Sequence, residues 1–138
     1  MQGFGLQFDH FGLATSDADK TLSFLGALGY QVPEAVHDPL QRVNLVFCTH
    51  PEMPSVEVIY AAGEEGPLQA ILAHQPQSIY HLCFRSRDAA SSLAEMKEAG
   101  YRSLVVSPAK PAMLFDSLCV SFHMVHGFGL IEIIEDPL

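Results

Sequence analysis

A chain of 138 residues, 49% of them apolar, has enough material for one buried core and is too apolar to be disordered. Its formal charge of −9, with no basic stripe to offset it, argues against nucleic-acid binding. No apolar run approaches a membrane span, and the first residues lack the basic-then-apolar order of a secretory signal, so a cytoplasmic location without membrane contact is expected.

In chain order, a first strand is expected over residues 5–14, apolar on both faces as in a strand buried between layers. Ser16 or Asp17 caps a helix that carries Leu22, Leu25 and Leu28 at helical spacing and stops at Gly29. Extended segments follow at 30–36, 42–48 and 55–61, punctuated by the turns His37-Asp38-Pro39 and His50-Pro51-Glu52-Met53-Pro54. A connector over 63–77 holds a short helix that begins at Pro67 and ends before Pro76. A strand at 78–85, a helix from the cap Asp88 to about Ala99, and strands at 101–106, 118–125 and 128–135 complete the chain. Cys48, Cys83 and Cys119 are odd in number and far apart in apolar segments, which suits core thiols of a reducing compartment.

This order states one pattern twice. Phe8-Asp9-His10-Phe11-Gly12-Leu13 reappears as Ile79-Tyr80-His81-Leu82-Cys83-Phe84, and Asp17 and Gly29-Tyr30 reappear as Asp88 and Gly100-Tyr101, all at an offset of 71. Each copy closes with a glutamate among apolar, mostly β-branched residues, Val56-Glu57-Val58-Ile59 and Ile131-Glu132-Ile133-Ile134. The expectation is one α+β domain of two paired βαβββ modules, about 5–62 and 78–136, forming a curved mixed sheet around a central cleft.

Strand alternation places Phe11, Leu13, Val56 and Val58 under the helix of the first copy and turns His10 and Glu57 the other way. In the second copy it turns His81, Cys83, Arg85 and Glu132 away from the helix. A carboxylate inside an apolar strand needs a cation or a hydrogen-bond partner. Two imidazoles with two carboxylates are a common donor set for Zn, Co, Ni, Mn or Fe(II), so His10, Glu57, His81 and Glu132 are the candidate ligands of one divalent ion. The alternative is that the histidines and glutamates pair with each other. His123 and His126 read as surface or rim histidines, and His37, His50 and His74 as solvated turn residues.

Asp9-His10-Phe11-Gly12-Leu13-Ala14, Val56-Glu57-Val58-Ile59, Gly63-Glu64-Glu65-Gly66-Pro67, Tyr80-His81 and Gly129-Leu130-Ile131-Glu132-Ile133-Ile134-Glu135 together resemble the vicinal oxygen chelate superfamily, of glyoxalases, bleomycin-resistance proteins and dioxygenases. The resemblance is strongest to methylmalonyl-CoA epimerase and glyoxalase I-type proteins. It implies a divalent metal on the four residues named above and a small-molecule substrate. It also implies isomerisation or epimerisation next to a carbonyl, for instance of an acyl thioester, with charge developing on the carbonyl oxygen stabilised as an enolate. Glu132 is the candidate base, with Asp38 a second acid. Gln41, Arg42, Cys83, Arg85 and Lys110 are candidate substrate contacts, and residues 108–115 a candidate lid or equally an ordinary loop. The chain departs from the epimerases in the segment 38–43, where they carry a glutamate and this chain offers only Asp38 and Gln41. A glyoxalase-like lyase acting on a glutathione hemithioacetal and a metal-free drug-binding protein are the alternative implications. Homodimers are common among such proteins.

Overall fold

Asp17 accepts a hydrogen bond from the Lys20 N–H at 3.1 Å and starts a helix at Ala18; Asp88 does the same with the Ser91 N–H at 3.2 Å and starts one at Ala89. The two helices end against Gly29 and Gly100, at φ 100° and 95°, a region that glycine enters without strain. A computed structural model describes residues 2–63, 66 and 68–137; Glu64, Glu65 and Pro67 of the connector motif lie outside the described residues.

The elements are β1 (Gln7–Thr15), α1 (Ala18–Ala27), β2 (Val36–Asp38), β3 (Val43–Cys48), β4 (Ser55–Ala61), α2 (Leu68–Leu72), β5 (Gln77–Ser86), α3 (Ala89–Glu98), β6 (Ser103–Pro111), a 3-10 turn (Met113–Phe115), β7 (Cys119–Val125) and β8 (Gly129–Glu135). The chain forms two compact units, residues 10–80 and residues 81–137 with the N-terminal segment to Asp9. In the first the strand order is β2-β3-β4-β1, and in the second β5-β8-β7-β6. Each histidine-bearing strand runs parallel to the glutamate-bearing one, β1 with β4 and β5 with β8, and the other ladders are antiparallel. The two halves therefore share one topology, and the expected pair of βαβββ modules in an α+β chain is present. Among the described residues no helix is long and apolar enough to cross a membrane.

In the first unit Leu25, Tyr30, Val46, Cys48, Val56 and Val58 form the core, with Phe11, Leu13 and Leu22 packed against it. This is the face that alternation assigns to the helix side. Each such aliphatic side chain contributes about 1.5–3 kcal/mol on burial. In the second unit Ile131, Ile133 and Met96 are buried. The repeat reaches into detail: the Thr15 and Thr21 hydroxyls meet at 2.9 Å beneath α1, and those of Ser86 and Ser92 at 2.7 Å beneath α3.

Three expectations need correction. Residues 30–36 do not form a strand; only an isolated bridge joins Gln31 to Thr49, and β2 starts at Val36 and takes in His37 and Asp38. Pro33, which has no N–H to donate, stands between the two pairings. The strand expected at 101–106 starts at Ser103 and runs on to Pro111, and Ala112 and Phe115 beyond it are buried, so residues 108–115 are not a free lid. An edge strand tolerates Pro108 because one side of it needs no ladder, and the register shifts between Val105 and Ser107 and between Ser107 and Lys110 absorb the misfit. Finally, Cys119 is exposed, whereas Cys48 and Cys83 are buried as expected.

Candidate metal centre

In the first unit, β1 and β4 set Gly12 opposite Glu57, so the glutamate lies across from the residue two beyond His10. Side chains two apart share a strand face, and His10 and Glu57 therefore point the same way. Both are buried, with His10 Nε2 3.8 Å from Glu57 Oε1. Phe47, opposite Glu57 on β3, sets its ring edge-on to the His10 imidazole, with centroids 5.1 Å apart.

The second unit repeats this. Cys83, two residues beyond His81, lies opposite Glu132. His81 Nε2 is 3.3 Å from Glu132 Oε1, both buried, and Phe122, opposite Glu132 on β7, stands edge-on to His81 at 5.4 Å. The phenylalanines escaped the sequence reading. A signal existed, because Phe47 and Phe122 are separated by the same interval as Glu57 and Glu132.

The separations are informative. At 3.3 and 3.8 Å neither pair makes a good hydrogen bond, which for N–H···O falls at about 2.7–3.2 Å. Two donors each about 2.0–2.2 Å from one ion stand no more than about 4.4 Å apart, and both pairs meet that condition. Each unit thus offers one buried imidazole nitrogen and one buried carboxylate, donors of the kind that a divalent metal takes.

The remaining predicted residues fall into four groups. Cys83 is fully buried on the strand face of Glu132 and forms wall there. Lys110 is exposed opposite Val120, two residues from Phe122, and so belongs by register to that same face. Asp38, Gln41 and Arg42 sit in and beside the tight turn after β2. Asp38 is buried, and its Oδ1 accepts from the N–H groups of Leu40 and Gln41 at 2.9 and 3.2 Å, which makes it the brace of that turn. Gln41 is half-buried, and Arg42 is exposed at φ 57°, a left-handed position.

Arg85 differs from expectation. Its Nε lies 2.7 Å from Asp9 Oδ1 and its Nη1 2.9 Å from Asp136 Oδ2, so the guanidinium is committed to two carboxylates of its own unit. The Asp9 hydrogen bond raises its pKa further. His123 also differs: it is buried, not a rim residue, and its Nε2 lies 2.8 Å from Ser121 Oγ. Burial lowers its pKa below the ordinary 6.5.

The sequence pattern of the Glyoxalase/Bleomycin resistance protein/Dioxygenase superfamily matches residues 9–117. The fold is similar to methylmalonyl-CoA epimerase from Mycobacterium tuberculosis, with a TM-score of 0.74, 20% identity, and coverage of 95% of this chain and 87% of that one. It is similar to a methylmalonyl-CoA epimerase in complex with methylmalonyl-CoA and NH4+, with a TM-score of 0.73, 20% identity, and coverage of 95% and 94%. A variant of the Streptomyces coelicolor methylmalonyl-CoA epimerase in complex with 2-nitronate-propionyl-CoA gives a TM-score of 0.73, 20% identity, and coverage of 96% and 98%. No curated protein sequence matches the chain. The structural likeness at this identity concerns the fold, and the pattern match over most of the chain concerns descent. The chain belongs to the glyoxalase/bleomycin resistance protein/dioxygenase superfamily.

Proposed function

We propose that His10, Glu57, His81 and Glu132 hold one divalent metal ion, and that the protein is an isomerase or epimerase moving a proton on the carbon next to a carbonyl. The observation that carries the reading is the repeated pair: in each unit a buried histidine Nε2 stands beside a buried glutamate oxygen, too far for a good hydrogen bond and close enough to share an ion. Bound there, the ion would supply Lewis-acid charge at the substrate carbonyl oxygen.

The chain's own residues do the rest. Glu132 would move the proton at the carbon by loosening from its ligand position; the glutamate is buried beside a histidine and its strand face is shared by Cys83. Asp38 is not assigned a proton, because its Oδ1 holds the turn after β2. Phe47 and Phe122 keep the imidazoles edge-on to carbon walls and exclude water from that side. Lys110, exposed on the Glu132 face, supplies the cation for an anionic group of the substrate. Arg85 is withdrawn from that role by Asp9 and Asp136. An acyl-CoA thioester fits this assignment, supported by the complexes known for the similar epimerases.

The test is solvent-deuterium exchange. With methylmalonyl-CoA in deuterated buffer, the metal-loaded protein should label the carbon between the carbonyls, and Glu132→Gln should lose that labelling by at least about a hundredfold. Unchanged exchange in Glu132→Gln, or turnover only of a glutathione hemithioacetal, would contradict the assignment.

A further inference from the structure

The strand face that carries Glu132 in the second unit is unequal on its two sides. Register lays that face out in rows across β8, β7 and β6, with Glu132 and Phe122 in the middle row. Ile134 and Val120 form the row on one side, and Leu130, Met124 and Leu104 the row on the other. Paired residues and residues two apart share a face, so all three rows stand on the side of the glutamate. The register shifts of β6 begin after Val105 and leave the pairing of Leu104 with Met124 regular.

One side row is closed and the other open. Ile134 and Val120 are 0% and 3% exposed, whereas Met124 is 43% exposed and Leu104 74%, with Leu130 half-buried beside them. Exposed positions at the edge of a sheet are ordinarily guarded by charge, and contiguous apolar side chains there mark a surface that binds something. None of the three is β-branched, although strands favour Val and Ile. Leucine and methionine are flexible, and methionine in particular adapts its shape to whatever lies on it. Spacing sets the size of the occupant. Adjacent rows lie two residues apart along the strands, about 6.7 Å, so a methyl branch on a carbon held at Glu132 stops short of Leu130. A chain of about six carbons covers that gap.

We infer that the substrate carries an extended apolar chain on or beside the reacting carbon, laid across Leu130, Met124 and Leu104. This rests on the assignment of Glu132 as the group that moves the proton, and it names the substrate class as a long-chain acyl compound with an anionic group. Lys110, opposite Val120 at the far row and in no ion pair among the described residues, receives that anionic group. The apolar and charged parts of the substrate therefore leave Glu132 towards opposite rows. A methyl-branched acid leaves the open row bare.

Hexylmalonate and methylmalonate are the probes, titrated into the metal-loaded full-length protein by calorimetry and by NMR of labelled Leu and Met methyl groups. Hexylmalonate should bind at least about tenfold more tightly, since each further methylene adds up to about fourfold when buried. Its binding should shift the methyl groups of Leu104, Met124 and Leu130, which methylmalonate should leave in place. The double variant Leu104→Gln, Met124→Gln, at two exposed positions, should bring the preference below about threefold. Val105→Gln, one residue along on the opposite face, should keep it. Equal affinities, a preference kept in the double variant, or no binding of either malonate would overturn the inference. So would an open row covered by a second copy, seen as a dimer in light scattering that hexylmalonate does not disturb. The reading of Glu132 fails separately, by the absence of deuterium exchange with methylmalonyl-CoA, and the preference between the malonates is measured in either case.

Discussion

His81 Nε2 stands 3.3 Å from Glu132 Oε1, with both side chains buried. Two parallel strands produce this pairing, because β5 and β8 set Glu132 opposite Cys83 and alternation turns His81 and Glu132 to the same face. The identical register of His10, Gly12 and Glu57 on β1 and β4 makes the arrangement a property of the repeated unit and not of one local accident.

A buried carboxylate kept for a metal should be a burden on the metal-free fold. Replacing Glu57 with Gln should abolish tight metal binding, yet leave the chelated protein at least as stable as the chelated wild type, within about 1 kcal/mol or better. Calorimetry with and without chelator checks this. Wild type should lose several degrees of Tm on chelation, and Glu57→Gln none. Equal chelator sensitivity in both proteins would count against Glu57 as a ligand.

The thiols give a test of burial. Cys48 is desolvated, which pushes its pKa from 9.0 to about 11, and Cys83 is fully buried, whereas Cys119 is exposed. Only the thiolate reacts, so at pH 8 one equivalent of a thiol reagent should react quickly with the folded protein and two only after denaturation. Cys119→Ser should remove the fast phase.

His123 makes a pH prediction whose sign is fixed. Burial lowers its folded-state pKa below the ordinary 6.5, so on acidification the unfolded chain binds a proton before the folded one does. The contribution of the neutral imidazole is complete above about pH 6.5 and is lost as the pH falls from there towards the folded pKa. Urea unfolding at pH 7.5 and 5.5 should show wild type losing more stability than His123→Gln over that interval.

How much of this could be read from the chain follows physical lines. The face that each histidine and glutamate takes was legible because strand alternation is local: His10 with Gly12 and Glu57 with Ile59 need no knowledge of distant residues. The caps Asp17 and Asp88 and the stops Gly29 and Gly100 were legible for the same reason. What failed depended on partners far along the chain. Asp9 and Asp136 withdraw Arg85 from its expected role, across 76 and 51 positions. His37-Asp38-Pro39 has turn composition, but β3 recruits His37 and Asp38 into a ladder. Pro108 argued for a loop, and its place on an edge strand, which no local pattern reveals, lets β6 pass through it. His123 differs from the rim position expected of it because burial is a tertiary fact.

The account rests on one ion shared by four residues, and the ratio of metal to chain tests it most directly. Protein purified without an affinity tag or chelator should contain one equivalent of Co, Ni, Mn, Zn or Fe by elemental mass spectrometry, and His10→Ala and His81→Ala should each lose it. Two equivalents, with each variant losing only one, would mean that the pairs bind separately. No metal, and none taken up on titration, would mean that the histidine–glutamate pairs serve the fold alone.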